Sequence, residues 1–85
     1  MQRFLTAFHA LPLGTHKGLF DGKAYVFSKS TFARGKSWKL VAEELGGTDY
    51  ISLNLYDLTD GPRLFPCEMS TEKVVTFVCG LTVGG

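Results

Sequence analysis

Cysteine is scarce in this chain: Cys67 and Cys79 are the only two among 85 residues. Two thiols are too few for a disulfide scaffold, and no second cysteine stands at C-x-x-C spacing from Cys67. Cys67, Cys79, His9 and His16 show no recognised metal-ligand spacing, so neither a metal nor a cofactor is expected. Long apolar runs are missing too, and nothing approaches the length of a membrane span. The opening "MQRFLTAFHALPLG" has Arg3 and an apolar stretch, but His9 interrupts the stretch and no A-x-A-like site follows. It therefore does not read as a secretory leader. Internal repeats and low-complexity segments are absent. The expectation is a soluble, cytoplasmic protein with no membrane partner.

Net charge is also nearly missing, at +1, which selects neither for nor against nucleic acid. Its distribution is uneven. Residues 1–39 hold seven basic side chains against Asp21 alone, a net +6; residues 40–85 hold two against seven acidic ones, a net −5. Such asymmetry marks either an acidic partner for the first half or two halves that face each other, within one chain or across a dimer.

What the chain does have is apolar mass. Seven Phe, three Tyr and one Trp supply enough buried area to offset chain entropy, which argues against disorder. Residues 1–85 are read as one domain, and a chain this short buries only about 60–65% of its unfolded surface.

Phe4, Phe8 and Leu11 recur at helical spacing until Pro12 and Gly14, which predicts a helix over 2–11. "GLFDGKAYVFS" predicts a hairpin, with Asp21-Gly22 as a two-residue type I′ turn. "SKSTFARGKS" reads as a polar connection. Residues 37–45 fit two patterns. Trp38, Val41 and Leu45 share a helical face, with Ser37 as cap and Gly46-Gly47 as stop; Trp38, Leu40 and Ala42 alternate as a strand would. The helix is taken here, although Glu43 and Glu44 sit poorly at its C-terminus. In "DYISLNLYDL", Ile51, Leu53 and Leu55 alternate with Ser52, Asn54 and Tyr56, a strand with the first set facing the core. "TDGP" turns the chain and "RLFPC" returns, with Pro66 ending that strand or marking a sheet edge. Ser70 caps a last helix carrying Val74, Val75, Phe77, Val78 and Leu81, and "GLTVGG" frays. The expected fold is α+β: an antiparallel four-stranded sheet of two hairpins, helices near both termini, and a helix between the hairpins.

Few residues suggest chemistry. Gly35-Lys36-Ser37 matches the end of a phosphate-binding P-loop, but Ser30 stands where that motif needs glycine. Cys67 lies three residues before Ser70, outside the first helical turn, and Glu68 beside it disfavours a thiolate. Gly84-Gly85 is similar to the diglycine of ubiquitin-like sulfur carriers, yet those domains begin with a strand and this chain opens on a helical pattern. The segment 17–39 interleaves basic residues with Phe20, Tyr25, Phe27, Phe32 and Trp38, as single-strand nucleic-acid binders do. A core of this size also needs its aromatics.

Three functions follow in order. The first is a small non-enzymatic module that associates with another protein or, as a homodimer, with itself. The second is single-stranded nucleic-acid binding through 17–39. The third is thiol chemistry at Cys67. Lys29, Arg34, Lys36 and Lys39 are the candidate contacts for nucleic acid or an acidic partner.

Overall fold

Phe4 and Phe8 stack on one face of helix α1 (Gln2–Ala10), and both are buried. The computed structural model describes residues 1–84; Gly85, the second glycine of the Gly84-Gly85 pair, lies outside the described residues. After α1 come β1 (Gly14–Phe20), β2 (Lys23–Phe32), β3 (Ser37–Glu44), β4 (Tyr50–Leu58), β5 (Gly61–Pro66), helix α2 (Thr71–Gly80) and β6 (Thr82–Val83). The architecture is α+β. All pairings are antiparallel, and the strands lie in the order β5-β4-β3-β2-β1-β6. From β1 to β5 the chain is a meander, each strand beside its sequence neighbour.

The expected four-stranded sheet is corrected to six strands with two helices. Residues 37–44 are strand β3, not a helix between hairpins. The alternating pattern wins over the helical one because β3 has a partner on each side. Leu40 pairs with Lys29 and Leu53, and Ala42 with Phe27 and Ile51, so both drop into the core and satisfy two ladders at once. An isolated helix there would leave a ten-residue β2 with a bare edge. The second added strand is the tail. Thr82 and Val83 pair with Leu19 and Gly18, and the Gly84 amide donates to Lys17 O at 2.9 Å. Glycine at 18 allows this approach, since a Cβ there would stand 2.9 Å from Leu81 Cδ1 and Thr82 O.

The turns follow from local chemistry. Asp21 and Gly22 take φ of 53° and 74°, the type I′ geometry that a two-residue hairpin with right-handed twist requires. The connection "SKSTFARGKS" is mostly strand, since β2 runs on to Phe32; the chain then reverses through Ala33, Arg34 and Gly35, all with positive φ. Ser70 Oγ accepts from the Lys73 amide at 3.1 Å and so caps α2.

Both helices lie on one face of the sheet. Phe4, Phe8, Val74, Phe77 and Val78 pack there on Tyr25, Phe27, Leu40, Ala42, Ile51, Leu53 and Leu55. Lys29 shares that face. Only 4% of it is exposed, so it does not belong to the surface that Arg34, Lys36 and Lys39 occupy. Its Nζ donates to Phe8 O at 2.7 Å and to Leu11 O at 2.8 Å, and stands 4.6 Å from the Phe8 ring centroid. The end of α1 leaves carbonyls without helical partners, and a cation is the favoured group beside them. Burial lowers the Lys29 pKa from its ordinary 10.5. The sign follows: the cost of holding the charged amine is present at neutral pH and relieved as pH rises toward 10.5.

Lys29→Met keeps an apolar stem of similar length but leaves the Leu11 carbonyl unpaired, while Phe8 O keeps the Leu11 amide at 3.1 Å. One such loss costs about 1–3 kcal/mol, so the variant should lose about that much in urea unfolding. A midpoint equal to wild type would show that the Leu11 carbonyl does not need the ammonium.

Candidate interaction surface on the uncovered sheet face

Strand alternation sends every second side chain away from the helices. The register groups these into rows across the sheet. Thr15, Ser28, Val41 and Ser52 form one row; Lys17, Val26, Glu43 and Tyr50 form the next toward the β1–β2 turn. On the other side come Ser30, Lys39, Asn54 and Phe65, then Phe32, Ser37, Tyr56 and Arg63. Among the described residues no element covers this face. Six large apolar or aromatic side chains lie open on it: Leu19, Phe32, Tyr50, Tyr56, Leu58 and Phe65, from Tyr56 at 36% exposed to Phe32 at 54%. Tyr56 and Phe65 meet edge to face with centroids 5.5 Å apart.

The edges differ from the face. The Cys67 amide donates to Ser52 O at 2.9 Å, so 67, 65 and 63 carry the ladder bonds to β4. Positions 66, 64 and 62 turn their amides outward, and two of them are Pro66 and Pro62, which have no N–H to offer. The β5 edge is thereby blunted against strand addition.

The candidate residues scatter. Arg34 and Lys36 are exposed in the β2–β3 turn, and Lys39 is exposed on the uncovered face. Next to that turn lie Asp57 near the end of β4, Asp60 in the β4–β5 turn and Arg63 in β5, and the Asp57 amide donates to Lys36 O at 2.8 Å. Basic and acidic halves thus alternate along one end of the sheet. Among the described residues no ion pair joins them: Arg63 pairs with Asp60 at 3.2 Å and Lys73 with Asp49 at 2.8 Å, both within the acidic half. Of the aromatics in 17–39, Tyr25 and Phe27 are core, Phe20 packs on Phe77, Trp38 packs on Phe8 and His9, and Phe32 alone is exposed. Gly35-Lys36-Ser37 leads into a strand, whereas a P-loop must open a helix.

Cys67 is half-buried on the uncovered face, where Asn54 Nδ2 donates to its sulfur at 3.6 Å. His9 lies across the sheet against Trp38, and the His16 ring sits on Phe27 with Nε2 at 2.8 Å from Leu13 O. From β5 to β1 is four strand spacings, about 19 Å, so His16 cannot serve the thiol. Among the described residues no three His, Cys, Asp or Glu gather to hold a metal ion.

One polar network escaped the sequence. Tyr25 Oη donates to Asp49 Oδ2 at 2.8 Å, and Lys73 Nζ donates to Asp49 Oδ1 at 2.8 Å. The bonds from Lys73 and Tyr25 hold the Asp49 carboxyl below its ordinary 3.8. Burial, then the bond to Asp49, pushes the Tyr25 phenol up to about 12. The network edges a cleft of about 480 Å³ with Phe20, Ile51 and Phe77 at its apolar wall. It ties the β3–β4 turn to α2. Nothing in the spacing of Tyr25, Asp49 and Lys73 announces it, because three separate elements supply the three groups.

No protein-family model, curated protein or solved structure matches the chain. The functional assignment therefore rests on geometry.

Asp49→Asn should lower the melting temperature at pH 7, since it removes the ion pair. The depressed Asp49 carboxyl stabilises the fold above its unfolded pKa of 3.8, and this gain is lost as pH falls through the lower folded value. The gap between wild type and variant should thus shrink in melts taken progressively below pH 3.8. A gap that persists unchanged in strong acid would assign the effect to packing instead.

Proposed function

We propose that this chain is a non-enzymatic association module that works as a homodimer, and that the uncovered sheet face is its contact surface. One observation carries the proposal. The outer face of an antiparallel sheet is ordinarily polar, whereas this one exposes Leu19, Phe32, Tyr50, Tyr56, Leu58 and Phe65 together. Phe32, Tyr56, Leu58 and Phe65 cluster toward one end of the face, with Leu19 and Tyr50 at the other, and a patch of exposed apolar side chains rimmed by polar residues marks an interaction site. The blunted β5 edge supports the face over the edge as the route of association. The thiol at Cys67 has the Asn54 amide beside it rather than a base.

A second assignment has its own observation. Phe32, Tyr56 and Phe65 lie toward the end of the sheet that also carries Arg34, Lys36 and Lys39. Aromatic platforms beside cations suit single-stranded nucleic acid. This moves that function from the 17–39 segment to the uncovered face.

Sedimentation separates the two. Wild type should sediment as a dimer, and Val41→Arg, in the central row of the face, should sediment as a monomer with an unchanged circular-dichroism spectrum. A short single-stranded oligonucleotide should leave both unshifted at physiological salt. A monomeric wild type that binds the oligonucleotide, with affinity falling steeply as salt rises, would reverse the order of the two functions.

A further inference from the structure

The uncovered face is complementary in charge and size to a copy of itself turned end for end. On β3 the outward residues are Lys39, Val41 and Glu43, with Val41 at the centre. Lys39 and Glu43 are both exposed, and neither joins an ion pair among the described residues. Their opposite charges stand two residues either side of Val41, about 6.7 Å away in each direction. A two-fold axis that runs across the strands through Val41 lays β3 of one copy over β3 of the other, running in the opposite sense. Lys39 then faces Glu43 of the second copy, and Glu43 faces its Lys39. This is the reciprocal contact of an isologous interface.

Size follows the same axis. The row on the axis is Thr15, Ser28, Val41 and Ser52, all small or β-branched, which lets two sheets approach. Twist does not undo the pairing. Aligned sheets cross at about 30°, and at 6.7 Å from the axis that rotation moves a residue sideways by only about 3.5 Å, within reach of a lysine and a glutamate. Only the strand segments on both sides of the axis overlap, three residues of β1, nine of β2, seven of β3 and five of β4. They give about 390 Å² per copy, about 780 Å² in all, the size of a weak and reversible contact.

Resting on the homodimer proposed above, we infer that the partner is a second copy of this chain, packed face to face about a two-fold axis through Val41 with two reciprocal Lys39–Glu43 pairs. The register is fixed by charge, so charge reversal tests it. In Lys39→Glu, two carboxylates face two carboxylates. In Glu43→Lys, two ammonium groups face two ammonium groups. Each single variant should weaken the dimer about tenfold or more. Mixing the two single variants should restore it as a heterodimer, because both pairs are then opposite in sign. The double variant Lys39→Glu/Glu43→Lys should restore it as a homodimer.

Native mass spectrometry of wild type, both singles, their equimolar mixture, the double variant and Val41→Arg reads all of this. Recovery in the mixture also proves that the single variants fold. A dimeric wild type that Val41→Arg dissociates, with no heterodimer selected in the mixture, would overturn the register and leave the homodimer standing. A wild type that stays monomeric at every concentration would overturn both, and oligonucleotide binding by that monomer would assign the face to nucleic acid.

Discussion

The buried ammonium of Lys29 joins the two layers of this fold. Helix α1 has no side-chain cap at its start and no acidic residue in its first turn. Nine residues of helix are marginal on their own. What fixes α1 is its far end, where Lys29 reaches from the middle of β2 to two of its carbonyls and lays its stem against Phe8. Phe4 and Phe8 then close the core over Leu40, Leu53 and Leu55. A cation within an apolar layer is costly unless every proton finds an acceptor or a π-face, and here two carbonyls and one ring supply them. Because one face of the sheet is closed this way, the other is left to solvent or to a partner.

That division of labour also assigns the charges. Of the basic residues in the first half, Lys29 is spent inside, Arg34 and Lys36 crown a turn, and Lys17 and Lys39 stand on the uncovered face. The excess of positive charge in the first half of the chain is thus dispersed once folded, since β3 and the β2–β3 turn lie directly beside the acidic β4–β5 turn. A net positive segment of sequence has become an alternating surface. Self-association uses such a surface better than a polyanion does, because a phosphate chain meets Asp57 and Asp60 as soon as it meets Lys36.

Legibility varied with how local each cause was. The Asp21-Gly22 turn, the Ser70 cap and the inward set Ile51, Leu53 and Leu55 depend on neighbours within a few residues, and the pattern displays them. Residues 37–44 depend on β2 and β4, which lie elsewhere in the chain, and helix and strand periodicities overlap on Trp38 and the apolar residues after it. Thr82 and Val83 form a strand only because β1 passes beside them, more than sixty residues earlier. Lys29 reads as one more surface lysine, since nothing near it in sequence says that a helix end will arrive from Phe8 and Leu11. The uncovered face is half legible: Lys39 and Glu43 belong to the basic and acidic halves that could meet across a dimer, but they flank Val41 on one face only once β3 is a strand.

Trp38, the one tryptophan in the chain, stands where α1 meets the sheet, with its ring 4.9 Å from His9 and 6.5 Å from Phe8. Excited indole loses its electron readily to a protonated imidazole, and much less readily to a neutral one. Desolvation and the charge of Lys29 lower the pKa of His9, so its ring is largely neutral near pH 7 and becomes a quencher only on acidification. The fluorescence of a single side chain is thus coupled to the seating of a single helix. The junction that holds the fold together is also its own optical gauge.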